Sequence, residues 1–106
     1  MATSKIKYDG WKSAGTATGG STISLPSDYN ELCVVTKYQQ GRLIKNVPKM
    51  AVTAGATYFS GMYSNAGNNA SASWSITANN EIYLNTFTWG GDTSLKPNTT
   101  TELYYR

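Results

Sequence analysis

Around Trp74 and Ile76 the chain reads ASASWSIT, a clean alternation of small or apolar residues with hydroxyl-bearing ones. A period of two is the signature of a strand with one covered and one open face. Similar short runs recur along the chain, each closed by punctuation residues. SKIKY ends at Asp9-Gly10, and WKSAGTAT and STISL flank Gly19-Gly20, where a hairpin turn is expected because both residues tolerate positive φ. ELCVVTKY is the most continuous apolar stretch and predicts a central strand buried on both faces. The turn Gln39-Gln40-Gly41 leads into RLIKNVP, with Leu43 and Ile44 expected in the core and Pro48 at a strand end or sheet edge. MAVTAGA is compatible with a strand or a short helical turn. Next come TYFSGMYS, the loop NAGNN, and EIYLNTF after the turn Asn79-Asn80. No segment has a helical period. Eight or nine short strands at this spacing predict one all-β domain over residues 1–106, a jelly-roll-like antiparallel β-sandwich.

The closing stretch TTTELYYR, Thr99 to Arg106, sharpens that picture. Domain ends are usually polar and loose unless something ties them down. Thr, Leu and Tyr are good strand material, so this segment is expected to be paired inside a sheet. Trp11 and Trp74, both within strand patterns, are expected in the core.

Composition changes the picture in one respect. Thr, Ser and Asn together make up about a third of the chain, while charged residues make up only 14%. The outer strand faces should therefore be rich in hydroxyls rather than charge, a surface suited to sugars or to other protein copies. The net charge is +3, and seven of the nine basic residues precede Met50. That asymmetry reads as a solvated face or a shallow positive patch, without the dense Lys/Arg clustering of a nucleic-acid module. Cys33 is the sole cysteine, so an intrachain disulfide is excluded, and its apolar setting predicts a buried, inert thiol. The opening MATSKIKYDG has no apolar signal segment and no run reaches spanning length, which predicts synthesis in a cytoplasm and no membrane insertion.

Histidine is absent, which removes the commonest general base and metal ligand. The six carboxylates, Asp9, Asp28, Glu31, Glu81, Asp92 and Glu102, have no spacing that imposes convergence, so neither enzymatic activity nor a cofactor is expected. A small hydrolase would require two of them to meet in a cleft. The loop TWGGDTSLKPN is the most suggestive stretch. Trp89, followed by two glycines, is placed either to stack on a sugar, with Asp92 and nearby hydroxyls bonding its rim, or to fold back and cap the core. NAGNNA, residues 65 to 70, either presents amides to a ligand or is a hairpin end.

STISLPSDYNELCVVTKY, TYFSGMYSNAG, EIYLNT and the closing TTELYYR resemble tail-fibre or receptor-binding tip domains of tailed bacteriophages, in particular those of phages and prophages of Gram-positive and gut bacteria. The matching positions are Leu25, Pro26, Tyr29, Glu31 and Leu32, then Gly61 and Tyr63, then Tyr83, Leu84 and Asn85, and finally Tyr104, Tyr105 and Arg106. Thr86 stands where the pattern has glycine, and the loop with Trp89 is longer than the pattern. The resemblance implies a non-enzymatic virion protein, made in the host bacterial cytoplasm, whose β-sandwich head forms a homotrimer and docks on a host-cell surface polysaccharide or protein. Under that reading Trp89, Asp92, Tyr63 and Asn65 are the candidate glycan ligands. Arg106 is expected to contact a carboxylate or a neighbouring subunit. The alternative is a structural protein that decorates a capsid or tail and binds other virion proteins.

Overall fold

The alternation around Trp74 is realised as β7 (Asn68–Ile76), which buries Ala70, Ala72, Trp74 and Ile76. A computed structural model describes residues 6–8, 10–65 and 68–106, and the side chains of residues 10–62 and 69–106. The other strands are β1 (Ile6–Tyr8), β2 (Trp11–Thr18), β3 (Thr22–Ser24), β4 (Glu31–Tyr38), β5 (Gly41–Pro48), β6 (Thr57–Asn65), β8 (Glu81–Trp89) and β9 (Thr100–Tyr105). They form two antiparallel sheets, β1-β2-β9-β4-β5 and β3-β8-β7-β6. The first and last long strands pair (β2 with β9), as do the next two inward (β3 with β8), in jelly-roll fashion. The four innermost strands instead pair as hairpins, β4 with β5 and β6 with β7.

The C-terminal segment lies well inside its sheet. β9 is hydrogen-bonded to β2 on one side and β4 on the other, with Leu103 fully buried. Leu32, Val34, Leu43, Val47 and Leu103 from one sheet meet Trp74, Ile76, Ile82, Leu84 and Phe87 from the other. Apolar area removed from water at this interface is the main stabilising term. The polar groups enclosed with it are satisfied: the Trp74 indole N–H donates to Thr36 Oγ1 at 2.8 Å, and Thr36 Oγ1 lies 2.8 Å from Thr101 Oγ1. Among the described residues, every buried side-chain nitrogen or oxygen has a partner. On β4, Leu32, Val34 and Thr36 are buried on the inner face, whereas on the outer face Val35 is buried and Glu31, Cys33 and Lys37 are half-buried, so the expected burial on both faces is met only in part.

Three local expectations, those for Gly19-Gly20, Trp11 and Ile44, are corrected. Gly19-Gly20 does not close a hairpin: β2 and β3 belong to different sheets, and the turn carries the chain across the sandwich. Ser21 N–H donates to Thr18 C=O within the turn, while Gly19 N–H is held by Thr99 C=O at 3.0 Å, next to β9 rather than β3. Trp11 and Ile44 are not in the core. Both lie on the outer face of the five-stranded sheet, where alternation places them but no second layer covers them, and Ile44 is 55% exposed. MAVTAGA begins with a short 3-10 turn, Lys49–Ala51, and its remainder is loop.

Candidate functional site

The loop after β8 is built locally. Trp89 and Asp92 exchange two backbone hydrogen bonds, 3.1 and 3.0 Å, around Gly90 and Gly91. Both glycines have positive φ, 59° and 85°, the conformation a two-residue primed turn demands. The Trp89 ring folds inward. It lies 5.4 Å from the Tyr38 ring and so close to Gly41 that a Cβ there would sit 2.3 Å from its carbons. Trp89 is half-buried and packs against the core. Asp92 is exposed, and its Oδ1 accepts from both Ser94 Oγ (2.6 Å) and Ser94 N–H (2.8 Å). The Ser94 hydroxyl, and after it the backbone N–H, hold the Asp92 carboxyl below its ordinary pKa. Tyr63 and Asn65 belong to β6, and their side chains lie outside the described residues. Trp89 and Asp92 thus share one turn, with the Trp89 ring turned toward the core.

The outer face of the four-stranded sheet is a different kind of surface. Register places Tyr58, Ser60 and Met62 of β6 beside Ser75, Ser73 and Ser71 of β7, which in turn face Tyr83, Thr86 and Thr88 of β8. Ser71 bonds Thr88 at 2.9 Å, Ser73 bonds Thr86 at 2.7 Å, and Ser75 donates to Asn85 Oδ1 at 3.1 Å. These are cross-strand pairs of the sort that stabilise a sheet, yet each hydroxyl retains capacity for a further hydrogen bond. Tyr58 is 72% exposed and Met62 86% exposed at its free edge, β6. Composition anticipates hydroxyl-rich outer faces but not which strands carry them, because a hydroxyl row in one strand looks like ordinary solvated strand. The signal was the serine set opposite Trp74 together with the aromatic Tyr58 two strand positions from Ser60.

The outer face of the other sheet carries a groove of about 280 Å³, lined by Trp11, Cys33, Val35, Arg42, Ile44 and Tyr104. Ion pairs flank it: Lys37 Nζ to Glu102 Oε2 and Arg106 Nε to Glu31 Oε1, both 3.1 Å. The Arg106 guanidinium also lies 4.2 Å from the Trp11 ring centroid. The expected carboxylate contact of Arg106 is therefore present, and three backbone hydrogen bonds join Arg106 to Asn30 and Glu31. Cys33 is half-buried rather than fully enclosed. Burial, then the Glu31 charge, pushes its thiol pKa up, against a smaller lowering by Arg106.

Among the described residues, the carboxylates have separate partners. Glu31 pairs with Arg106, Glu102 with Lys37 and with the Tyr104 hydroxyl, and Glu81 accepts from Thr77 at 3.4 Å. Among the described residues no group of three His, Cys, Asp or Glu side chains is arranged to hold a metal ion. Compared with protein-family models, with curated proteins and with solved structures, the chain matches none.

Proposed function

We propose that this chain is a non-enzymatic binding domain of a phage virion, of the tail-fibre tip kind its sequence resembles, and that it recognises a host-surface glycan as a homotrimer. The supporting observation is the outer face of β6-β7-β8, where rows of serine and threonine hydroxyls run beside the exposed ring of Tyr58. A sugar presents an apolar ring face and a rim of hydroxyls. Tyr58 offers the matching aromatic surface, and Ser73 and Thr86 offer donors and acceptors without the desolvation cost of charge. Single contacts of this type are weak, and repetition around a trimer multiplies them through effective concentration. Trp89 and Asp92 remain the rival contact point on the neighbouring turn.

A second reading, structural decoration of a capsid or tail, draws on Met62 and Ile44. Both are exposed apolar residues on edge strands, β6 and β5, whose backbones can accept another protein by strand addition. The test is solution mass by light scattering, followed by a glycan array with wild type, Tyr58→Ala and Trp89→Ala. A trimer whose glycan signal falls with Tyr58→Ala and survives Trp89→Ala is the expected result. Loss only with Trp89→Ala moves the site to the turn. A monomer with no glycan signal that binds virions, and loses them with Met62→Lys, overturns the glycan reading in favour of decoration.

A further inference from the structure

The groove on the opposite sheet carries a charge imbalance. Lys37 and Arg42 face each other directly across the β4–β5 pair, an arrangement that like charges disfavour. One carboxylate serves the two: Glu102 holds Lys37 at 3.1 Å. Arg42 is exposed and donates only to the Gln40 backbone carbonyl, 3.2 Å away, with no carboxylate partner among the described residues. The cation at the far side, Arg106, is already matched by Glu31. Among the described residues, the groove has one surplus positive charge at one end.

Its remaining lining is apolar. Val35 and Tyr104, 8% and 2% exposed, form the floor with the Cys33 thiol, which burial keeps protonated, and Ile44 and Trp11 form the sides. Trp11 on β2 and Arg42 on β5 stand three strand spacings apart, roughly 14 Å across the sheet. The groove is thus long, shallow and neutral except at the Arg42 end. Its volume suits a single chain-like group rather than a folded partner.

We infer that this groove binds an amphipathic monocarboxylate, an unbranched alkyl chain lying over Val35, Cys33 and Tyr104 with its carboxylate on the Arg42 guanidinium. The head is anionic because Arg42 has no counter-charge among the described residues and the guanidinium fork matches a carboxylate in two parallel bonds. The tail is aliphatic because the floor offers no unpaired nitrogen or oxygen, the Tyr104 hydroxyl being committed to Glu102 Oε1 at 2.8 Å.

The experiment is an amide NMR titration of the full chain with octanoate, beside 1-octanol as the neutral chain of equal length. Octanoate is expected to give saturable shifts confined to β2, β4, β5 and β9, and to bind about tenfold tighter than octanol, the worth of one charge-assisted contact. Arg42→Gln, at an exposed position, should reduce octanoate to the octanol level and leave octanol unchanged. Ile44→Ser should weaken both alike, and Tyr58→Ala, on the other face, should change neither. Equal affinity for the two probes, insensitivity to Arg42→Gln, or shifts outside those strands overturns the assignment, as does the lack of saturable binding.

Discussion

The indole N–H of Trp74 donates across the sandwich to the hydroxyl of Thr36, 2.8 Å away, joining β7, an interior strand of one sheet, to β4, an interior strand of the other. Both residues are fully buried, so neither group can turn to water if the other is lost. Thr36→Val keeps the shape and removes the acceptor. It should cost at least about 1–3 kcal/mol in urea unfolding, the penalty for stranding the buried indole donor, because the buried Thr101 hydroxyl loses its Thr36 partner as well. The Trp74 indole proton should shift upfield in the same variant. Thr36→Ser, which retains the oxygen, should leave that resonance in place.

Gly41 is where the Trp89 ring meets the backbone of β5. Gly41→Ala puts a methyl group where the ring lies, so the ring must leave its contact with Tyr38. The expected loss is about 1–3 kcal/mol, in the range for overpacking. A change in tryptophan emission that Trp89→Phe abolishes would assign the effect to this ring. Unchanged stability would mean that Trp89 does not rest on Gly41 in solution.

Asp92 gives a prediction at acid pH. Its carboxyl titrates lower in the folded chain because Ser94 bonds the charged form. The stability it adds is therefore present in full above the ordinary aspartate value of about 3.9 and is lost as pH falls through the lowered folded value. Ser94→Ala removes the larger of the two causes. Carboxyl carbon NMR should show the Asp92 pKa move up toward its ordinary value without quite reaching it, since the backbone N–H remains.

Cys33 behaves in the opposite sense. The folded thiol holds its proton more tightly than the unfolded one, so its contribution is complete below the ordinary thiol value of about 8.5 and is lost as pH climbs through the raised value. Iodoacetamide at neutral pH should alkylate the folded chain more slowly than the urea-unfolded chain. Arg106→Gln, which removes the one lowering charge, should slow the folded reaction further.

Local patterns reached a defined depth. The period of two around Trp74, the apolar run of β4 and the strand-like closing segment are each realised as a strand, although the outer face of β4 is only partly covered. A turn signal such as Gly19-Gly20 says that the chain reverses. It is silent on whether the flanking strands pair or diverge into two sheets, because that depends on β9 and β8 arriving from far along the chain. Alternation likewise sorts Trp11 and Ile44 onto a face without saying whether a second layer covers it. The groove was beyond local reading altogether, since Trp11, Tyr104, Val35 and Arg42 come from four different strands. The Arg42–Lys37 opposition follows from register alone and becomes visible only once β4 and β5 are paired.

The placement of β9 also orders events in time. Ser13 waits for Tyr104 as its sheet partner, whereas β6, β7 and β8 follow one another and pair as a meander. Local pairings close quickly and distant ones slowly. The four-stranded sheet should gain amide protection at β7 before β2 does in pulsed hydrogen exchange. Until residues 100–105 have been synthesised, β2 and β4 each keep an unpaired edge, and the apolar inner face of their sheet has no means of closing. A growing chain therefore carries its aggregation hazard until β9 is made, and interruption upstream of Thr100 leaves a half-built sandwich rather than a smaller stable one.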